Sequence, residues 1–471
     1  MQRFFIICIM SCMLLSCSKG DDIGNNNQNK PEVVLDKITL EENEIKADPY
    51  YEPVTVKFNS TGSWKSVVTT YNNENWIKVE PKSGQAGNSE VTITIATNCS
   101  YDDRKGKVTI YTDTASQSIE VEQESITNAL VPLDETYRST DFSKDGEIHS
   151  MQQATEGNGI NVVFMGDGFA DSRFADGTYH KTMMYAMEMF FRLEPYKSFR
   201  HLFNCDYINV ISEHEKVGTG ETALQTQFGE GTIVTGNDGI ILEHALYVVG
   251  EDRMDNTVVA VIVNAQTRAG TCTWFLPEKQ NDYGCGFTIG CNTIWDLWNL
   301  IPHECAGHGF AKLSDEYVNY NGPIPEENKE GLTAGNRLWG WYKNTDSTND
   351  PNSIKWSHFL ADSRYANEVG IFEGAAYFQY GVYRPSENSM MNASRDEDVF
   401  NAPSREAIYY RIHKLAYGEE WEYDYEKFVE WDAINRGQTR TRSQRSEYVT
   451  KPAEHQSPII VNKSWREVIN K

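Results

Sequence analysis

The sequence has little positive charge, no long internal apolar run and no paired cysteine motif. It contains 43 Lys and Arg against 68 Asp and Glu, which gives a formal net charge of −25. Such a surface repels polyanions, so nucleic acid is excluded as a partner. Beyond the N-terminus no apolar run is long enough to cross a bilayer, which excludes an internal membrane span. No C-x-x-C pair supports a cysteine-based zinc site.

The N-terminus has the pattern of an export signal. Arg3 precedes an apolar run over residues 4–15 that is too short to cross a bilayer as a helix. The Leu-Leu-Ser-Cys that follows is similar to a bacterial lipobox with Cys17 as the lipidated residue; an ordinary secretory signal with a chance cysteine is the alternative. We therefore predict a lipoprotein signal over 1–17 and a flexible tether over 18–32.

The residues after the lipobox, Cys-Ser-Lys-Gly-Asp-Asp, resemble the export tags of Bacteroidetes surface lipoproteins. The resemblance implies display on the outer membrane, with the lipid anchor as the only membrane contact. Export to an oxidising compartment would permit disulfides, and Cys272, Cys285 and Cys291 lie close together, although their pairing cannot be deduced. Cys305 is expected to be a small buried side chain.

Residues 33–125 alternate between apolar and polar positions over short segments separated by turn residues, which predicts a small antiparallel β-sandwich. The run Trp76-Ile77-x-Val79-x-Pro81-x-Ser83-Gly84, with Asn98, Arg104 and Gln123, resembles the BACON domain, an immunoglobulin-like module. That resemblance implies either glycan binding or a spacer. Trp76 lies in a strand pattern and is expected to be buried in the sandwich core, which favours the spacer.

From residue 130 to 471 the pattern changes to strands that alternate with helices, which predicts an α/β domain. Three apolar segments are the expected strands: 161–165, 207–211 and 258–263. A helix is expected over 178–193 and a second one, which carries the chemistry, over 294–312.

The second of these helices contains His303, Glu304 and His308 in the order H-E-x-x-x-H. The usual zinc-protease motif has two residues between Glu and the second His, so that both imidazoles lie on one face of the helix. At about 100° per residue, five steps leave the imidazoles about 140° apart in a regular α-helix. We predict that a wide turn with i to i+5 hydrogen bonding, within 304–308, restores the register.

In the metal hypothesis His303 and His308 supply two zinc ligands, and Asp315 supplies the third, with Glu316 as the alternative. Glu304 would act as general base without binding the metal. The competing interpretations are a solvated loop acid for Asp315 and a surface salt bridge for Glu304.

These residues carry a resemblance to peptidase family M64, the IgA peptidase family of zinc metalloproteases. It extends over roughly 130–418, through Gly166-Asp167-Gly168-Phe169, Glu194-Pro195-Tyr196, Asn209-Val210, Leu313-x-Asp315-Glu316-Tyr317 and Arg405-Glu406-Ala407-Ile408. The chain departs from the family's H-E-x-x-H by one inserted residue. The resemblance implies a metzincin-like zinc-protease fold, zinc as cofactor and a protein substrate such as immunoglobulin or a host glycoprotein.

Further residues fit this resemblance. Ser389-Met390-Met391 is similar to the Met-turn beneath the zinc of metzincins, with Met391 in the packing position; two ordinary core methionines are the alternative. Tyr383 or Tyr317 could donate to an oxyanion. Residues 264–270 are either the edge strand that pairs with a substrate peptide or a surface loop. Three other histidines are interpreted as structural: His214, His244 and His413.

The sequence therefore predicts a multidomain surface lipoprotein with an N-terminal β-sandwich and a zinc-dependent endopeptidase domain. One alternative is a carbohydrate-binding or adhesion lipoprotein whose protease domain is inactive because of the inserted residue. Another is a zinc amidase that acts on non-peptide bonds.

Overall fold

A computed structural model of the protein describes residues 35–49, 52–70, 76–98, 102–125, 133–279, 283–291, 294–392, 399–436 and 457–470. The predicted signal peptide with Cys17 and the tether over 18–32 lie outside the described residues, as does Cys99. Within the described ranges, none of the helices combines the length and apolar character needed to cross a bilayer.

The N-terminal region is a β-sandwich of two sheets, with strand orders β1–β3–β7–β5 and β2–β9–β8–β4–β6. Its strands are β1 (Ile38–Leu40), β2 (Glu44–Ala47), β3 (Glu52–Ser60), β4 (Trp64–Thr70), β5 (Ile77–Glu80), β6 (Ser83–Gly84), β7 (Gly87–Ile95), β8 (Arg104–Tyr111) and β9 (Ser116–Gln123). Most pairs are antiparallel as predicted, but β2 and β9 are parallel. Alternate side chains fill a shared core that includes Trp76, which confirms its expected burial.

The second region is built on a seven-stranded mixed sheet in the order β10–β12–β11–β15–β17–β16–β21. The strands are β10 (Ile148–Gln152), β11 (Ile160–Asp167), β12 (Phe203–Ile208), β15 (Val258–Val263), β16 (Gly270–Phe275), β17 (Gly286–Cys291) and β21 (Ile459–Val461). The four strands β12, β11, β15 and β17 are parallel, and β16 is antiparallel to β17. The sheet with its helices confirms the α/β character.

The predicted strand over 207–211 is displaced in the structure. The observed strand β12 begins at Phe203 because its residues pair in register with β11 from Ile160 onward. The apolar run that suggested the strand continues past Ile208, where the ladder has already ended. The strand boundary is therefore set by the neighbouring strand, not by local hydrophobicity.

Helices cover both faces of the sheet. They are α1 (Asp171–Ala175), α2 (Thr178–Phe190), α3 (Asp238–Val249), α4 (Glu251–Met254), α5 (Ile294–Leu300), a π-helix (Ile301–Phe310), α6 (Glu326–Trp339), α7 (Ser357–Ala361), α8 (Ala402–Tyr417), α9 (Tyr425–Asp432) and α10 (Trp465–Ile469), with 3-10 turns at Arg200–Leu202 and Ser363–Tyr365. Val162 and Phe164 of β11 point towards α2 and the π-helix, whereas Val163 and Met165 point towards α3 and α10. The sheet is therefore buried on both faces.

Two smaller sheets complete the fold. One is the ribbon of β13 (Gln227–Phe228) and β14 (Val234–Thr235), and the other contains β18 (Val318–Pro323), β20 (Tyr377–Arg384) and β19 (Phe372–Ala375) in that order. The segment after Gly418 packs back on the domain through Trp421, Tyr423 and Trp431. The pairing of β18 with β20 is important for the site because it brings residues near 377 to the end of the π-helix.

Candidate metal centre

The segment that carries the two histidines is a π-helix. It runs from Ile301 to Phe310 as a direct continuation of α5. The wide hydrogen bonding is seen where the Ala311 amide donates to the Ala306 carbonyl at 3.1 Å. The predicted wide turn is present, but it covers the whole segment and not only 304–308. As a result the rings of His303 and His308 lie close together, edge to face, with centroids 4.9 Å apart.

Local sequence and tertiary contacts both favour this irregular helix. Pro302 lies at the junction of α5 and the π-helix, where its missing amide hydrogen interrupts the α-helical bonding; the Trp298 carbonyl, four residues earlier, instead accepts from Arg192 at 3.0 Å. Gly307 is required by packing, because a Cβ atom there would lie 2.4 Å from the sulfur of Met391. Tyr196, buried beneath the helix, donates its hydroxyl to the Ala306 carbonyl at 2.6 Å. Side chains from distant parts of the chain therefore hold the π-helix in place.

Asp315 meets both imidazoles. Its Oδ1 lies 2.9 Å from Nε2 of His303 and 3.2 Å from Nε2 of His308. One ligand atom from each of the three residues lies within 4.8 Å of the others. Asp315 is 1% exposed, so the solvated loop acid is excluded. The structure thus brings the three predicted ligands together, while their role as ligands stays a prediction.

The three converging ligand atoms suit a cation. Nδ1 of His303 donates to the Met390 carbonyl at 2.9 Å, and Nδ1 of His308 donates to the Leu313 carbonyl at 2.7 Å. Because each Nδ1 carries a hydrogen, each neutral imidazole has only a lone pair at Nε2. Two lone pairs and a carboxylate oxygen then converge, which is repulsive unless a proton or a metal ion lies between them. Backbone carbonyls that orient ligating imidazoles are typical of zinc sites.

The titration of these groups reflects their mutual attraction. Burial lowers the pKa of His308, but the charge of Asp315, their hydrogen bond and the charge of Glu304 outweigh it and raise this pKa to about 9. Burial opposes ionisation of Asp315, yet both imidazoles hold its pKa well below the ordinary value. A positive charge is therefore strongly favoured at the point where the three residues meet.

Glu304 and Glu316 are both fully buried acids. Glu304 is completely buried next to His303 in the π-helix, so a surface salt bridge is excluded. Glu316 accepts hydrogen bonds from Ser389 at 2.6 Å and from the amide groups of Asn344 and Asn401 at 2.8 Å. These contacts direct its carboxylate away from the two imidazoles. Glu316 is therefore not the third ligand in this structure, and it links three segments around the site.

The predicted Met-turn lies directly against the metal centre. Met391 is fully buried, and its sulfur sits where a side chain on residue 307 would have to be. Its backbone carbonyl accepts from the Glu316 amide at 2.8 Å, and its amide donates to the Ser389 hydroxyl at 3.1 Å. Met390, one residue earlier, orients His303 through its carbonyl. The turn therefore orients the imidazole of His303, and Met391 packs under the π-helix between the two histidines.

Sequence reasoning missed Tyr377. Its hydroxyl donates to Oδ2 of Asp315, and it also lies 3.4 Å from the hydroxyl of Tyr317. The residue has a φ of 75°, in the left-handed region that disfavours a bulky side chain. No local motif marks Tyr377; the pairing of β18 with β20 places it at the site.

The two tyrosines named as oxyanion donors are in different places. Tyr317 stacks beside His303, with ring centroids 6.5 Å apart. Tyr383 instead directs its hydroxyl to Glu373 at 3.5 Å. Of the two, only Tyr317 is brought to the centre. Burial, followed by the charges of Asp315 and Glu304, raises the pKa of Tyr317 well above its ordinary value, so its hydroxyl stays protonated.

Several other predictions have a structural outcome. Residues 264–269 form a loop before β16, so the edge-strand alternative for 264–270 is wrong; β21 already pairs with the end of β16, over residues 273–275.

Among the described cysteines, Cys272, Cys285 and Cys291 form no disulfide with each other, and Cys305 is buried as expected. The three histidines interpreted as structural bond nearby backbone groups: His214, His244 and His413.

The centre is closed to solvent in this conformation. His303, Glu304, His308 and Asp315 are each at most 1% exposed. Trp274 packs against His308 at a centroid distance of 6.2 Å and forms one wall. Tyr377 is only partly buried and connects the centre to the surface.

Two family models match the chain. The BACON model for an N-terminal domain matches residues 64–124, and the IgA peptidase M64 model matches residues 355–412. The second match includes Met391 but neither histidine of the π-helix. No curated protein matches the chain closely enough to count as a relative.

Solved structures resemble the chain only weakly. The periplasmic chaperone SfaE is 9% identical, with a TM-score of 0.17, over 19% of this chain and 58% of its own length. A xyloglucanase from Bacteroides ovatus, in complex with a heptasaccharide, is 14% identical over 48% of this chain and 46% of that chain, with a TM-score of 0.19. A protein from Bacteroides thetaiotaomicron is 13% identical over 20% of this chain and 92% of its own, with a TM-score of 0.14. These sequence identities and TM-scores are too low to indicate the function of this chain.

The family matches agree with the resemblances drawn from the sequence. One lies within the β-sandwich, and the other runs from α7 into α8, next to the Met-turn. Both resemblances are therefore confirmed: residues 64–124 match the BACON model, and residues 355–412 match the IgA peptidase M64 model.

Proposed function

We propose that this protein is a zinc-dependent endopeptidase. The observation that carries the proposal is the convergence of two imidazole lone pairs and one carboxylate oxygen, beside a buried glutamate, on the π-helix. The match to a peptidase family supports peptide bonds as the substrate class. Three protein ligands with one position left open are typical of catalytic zinc rather than structural zinc.

His303, His308 and Asp315 would hold the zinc ion, which supplies a Lewis acid and lowers the pKa of bound water. Glu304 would accept the proton of the attacking water and return it to the leaving amine. Tyr317, whose ring lies beside His303, keeps its proton and would donate a hydrogen bond to the carbonyl oxygen of the substrate as charge develops there. Tyr377 would fix the orientation of Asp315.

The remaining parts of the proposal concern the type of protease fold, the location of the protein and the role of the β-sandwich. A metzincin-like arrangement is supported by the position of Met391 under the π-helix. The lipobox at Cys17 supports anchoring at the outer membrane, and the surface location would bring the enzyme to host glycoproteins or immunoglobulins. The β-sandwich would act as a spacer or as a glycan-binding module.

Glu304→Gln is the test of the proposed function, because it keeps the shape of the side chain and removes its charge. Zinc content and the cleavage of mixed protein substrates, including immunoglobulin A, are measured for both forms of the full chain. We expect one zinc per chain in both, with a loss of cleavage rate in the variant of about 10²–10⁴-fold, the usual contribution of a general base.

A folded wild-type protein that binds no zinc, or that retains zinc but cleaves no polypeptide, would contradict the proposal. The first outcome would support an inactive adhesion protein. Cleavage of cell-wall or glycan amides without cleavage of polypeptides would support an amidase. A variant that cleaves as fast as the wild type would remove Glu304 from the mechanism.

A further inference from the structure

A large cleft lies apart from the metal centre. It has a volume of about 1460 Å³ and is lined by α6, α8, the start of α9 and the connections between them, with Tyr283, Trp339, Lys343, Lys355, Tyr410 and Tyr423 among its walls. We refer to it as the aromatic cleft. Ordinary pockets for small ligands occupy about 300–1,000 Å³, so this cleft has room for a larger, oligomeric ligand.

Packed aromatic rings separate the aromatic cleft from the proposed zinc ligands. Trp274 lies between His308 and Trp341, with ring centroids 6.2 and 5.0 Å from each. Trp341 in turn packs on Trp339, at 4.7 Å, and Trp339 lines the cleft. None of the described metal-centre residues lines the cleft. The two sites are therefore distinct.

The aromatic cleft is cationic in a protein that is strongly acidic overall. Four lysines line it against two glutamates. Both glutamates already have partners: Glu406 accepts from His358 at 2.9 Å and from Tyr423 at 2.5 Å, and Glu419 pairs with Lys414 at 2.8 Å. Three lysines, Lys279, Lys343 and Lys355, form no ion pair in the part of the chain that the structure describes.

Two of these lysines are in unusual surroundings. Lys343 is exposed to solvent, yet the protein around it lowers the pKa of its ammonium through desolvation, as expected at the wall of a concave site. Lys355 donates to the carbonyls of Tyr342 at 2.9 Å and Thr345 at 2.6 Å. An ammonium has three N–H donors, so one remains for a group in the cleft.

A buried arginine adds further positive charge beneath the aromatic cleft. Arg411 is 1% exposed, and its guanidinium stacks 4.2 Å from the ring centre of Tyr283, which lines the cleft. Nε and Nη1 of Arg411 have no hydrogen-bond partner among the described residues. Two unbonded donors on a buried guanidinium are costly for the fold and therefore suggest a functional position. An anion in the cleft would offset that cost.

Aromatic faces determine which kind of anion fits. Five aromatic side chains line the aromatic cleft: Tyr283, Trp339, Tyr410, Tyr423 and Tyr425. Each offers a flat apolar face beside a polar edge, which suits the C–H face and the hydroxyl groups of a sugar ring. None of the described lining residues lies in a strand, so an extended peptide cannot add to a sheet edge there. A long polyanion such as nucleic acid is opposed by the net charge of −25.

We propose that the aromatic cleft binds an acidic oligosaccharide, with the sugar rings on the tyrosine and tryptophan faces and a carboxylate or sulfate on Lys343 and Lys355. This site differs from the glycan site that the N-terminal domain would offer. It also does not depend on the proposed peptidase activity, because its residues are separate from the metal centre.

Binding is measured by titration calorimetry with the full chain carrying Glu304→Gln, so that no cleavage occurs. The probes are 3′-sialyllactose, lactose 3′-sulfate and lactose, which share one disaccharide and differ in charge. We expect at least one charged probe to bind about tenfold more tightly than lactose, the effect of one charge-assisted hydrogen bond. Whichever charged probe binds more tightly identifies the anionic group.

Matched variants locate the binding site. Lys343→Gln and Tyr410→Ala alter exposed cleft residues and should each weaken binding of the charged probe by about tenfold. Lys197→Gln, an exposed lysine outside the cleft, should leave the affinity unchanged. The proposal is overturned if lactose binds as tightly as both charged probes, or if both cleft variants bind normally. Binding of a hexaglutamate peptide or a single-stranded oligonucleotide in place of the sugars would also overturn it.

Discussion

The β-sandwich and the metal centre bury their side chains for opposite reasons. The sandwich core is apolar, and the buried amide of Asn98 bonds the backbone, donating to the carbonyls of Asp102 and Glu124 at 3.0 and 2.9 Å. The metal centre instead buries two imidazole nitrogens and a carboxylate oxygen against each other. Burial in the sandwich stabilises the fold, whereas burial in the metal centre costs stability unless a cation is bound.

This difference predicts that the two regions respond separately to substitution. Changes in the sandwich core should lower the free energy of unfolding and leave zinc binding intact. Changes in the metal centre should affect zinc first. Four substitutions, in order of decreasing effect, test that separation.

Asp315→Ala should have the largest effect, because it removes the carboxylate that both imidazoles face. We expect zinc affinity to fall by more than about 100-fold, since partners that only orient zinc ligands already contribute about 10–100-fold. Competition with a chromogenic chelator measures this affinity.

Glu316→Gln is the comparison for Asp315→Ala. It changes the adjacent acid, whose carboxylate bonds Ser389, Asn344 and Asn401 instead of the imidazoles. Zinc affinity should be retained, while stability falls by about 1–3 kcal/mol because a buried hydrogen-bond partner is altered. If Glu316→Gln loses zinc and Asp315→Ala keeps it, the assignment of the third ligand is wrong.

Trp64→Ala should be the most damaging change in the sandwich. Trp64 is buried, packs edge-on against Phe58 at 4.8 Å and donates to Ser89 at 3.1 Å. Truncation of a buried Trp costs about 3–5 kcal/mol. Calorimetric unfolding of the zinc-loaded protein should show this loss with zinc still at one per chain.

Val67→Ala, in the same strand but on the exposed face, is the control and should change stability by no more than about 0.5 kcal/mol. Loss of zinc in Trp64→Ala would mean that the two regions are coupled and would remove the contrast between them.

Gly307→Ala should disturb the π-helix by overpacking. The added methyl group would lie 2.4 Å from the sulfur of Met391, so either the helix or the Met-turn must move. Overpacking of this kind costs about 1–3 kcal/mol, and zinc affinity should fall together with stability because His303 and His308 flank the site of the clash. Chemical denaturation and zinc competition measure the two effects.

The same substitution at Gly331 should have the opposite sign. Gly331 lies in α6 with open space around it, so alanine is expected to stabilise the protein by up to about 1 kcal/mol. Equal effects at both positions would show that contact with Met391 does not matter.

Tyr377→Phe should have the smallest effect of the four. The substitution removes one hydroxyl from Oδ2 of Asp315 and leaves the ring in place. We expect zinc affinity to fall by about tenfold, the lower end of the range for groups that orient a zinc ligand. Tyr320→Phe, at a residue that is 62% exposed, should not change the affinity. Equal affinities in both variants would show that Tyr377 does not position Asp315.

The sequence predicted the sandwich well because strand alternation is a local property. The pattern of Val91, Ile93 and Ile95 places every second side chain in the core, and the structure follows it. Strand β15 also matches its predicted limits, because a continuous run of six buried residues leaves little choice of boundary. Strand β12 did not match, because its start depends on pairing with β11.

The metal centre was only partly accessible from the sequence. The spacing of His303 and His308 required an irregular helix, and Asp315 was within reach of both. Tyr377 was not predicted, and Tyr196 was named only as part of the family resemblance. Their contacts at the site could not be predicted, because strand pairing and core packing bring them there across more than 60 and 100 positions of sequence, respectively.

The inserted residue between the histidines separates what residue spacing implies from what tertiary contacts determine. The number of residues between His303 and His308 is enough to show that a regular α-helix would place the two imidazoles apart. That the segment is π-helical depends on tertiary contacts, because Met391 fills the space at Gly307 and Tyr196 bonds the Ala306 carbonyl. Contacts that stabilise the wider helix come from outside it, and no local pattern encodes them.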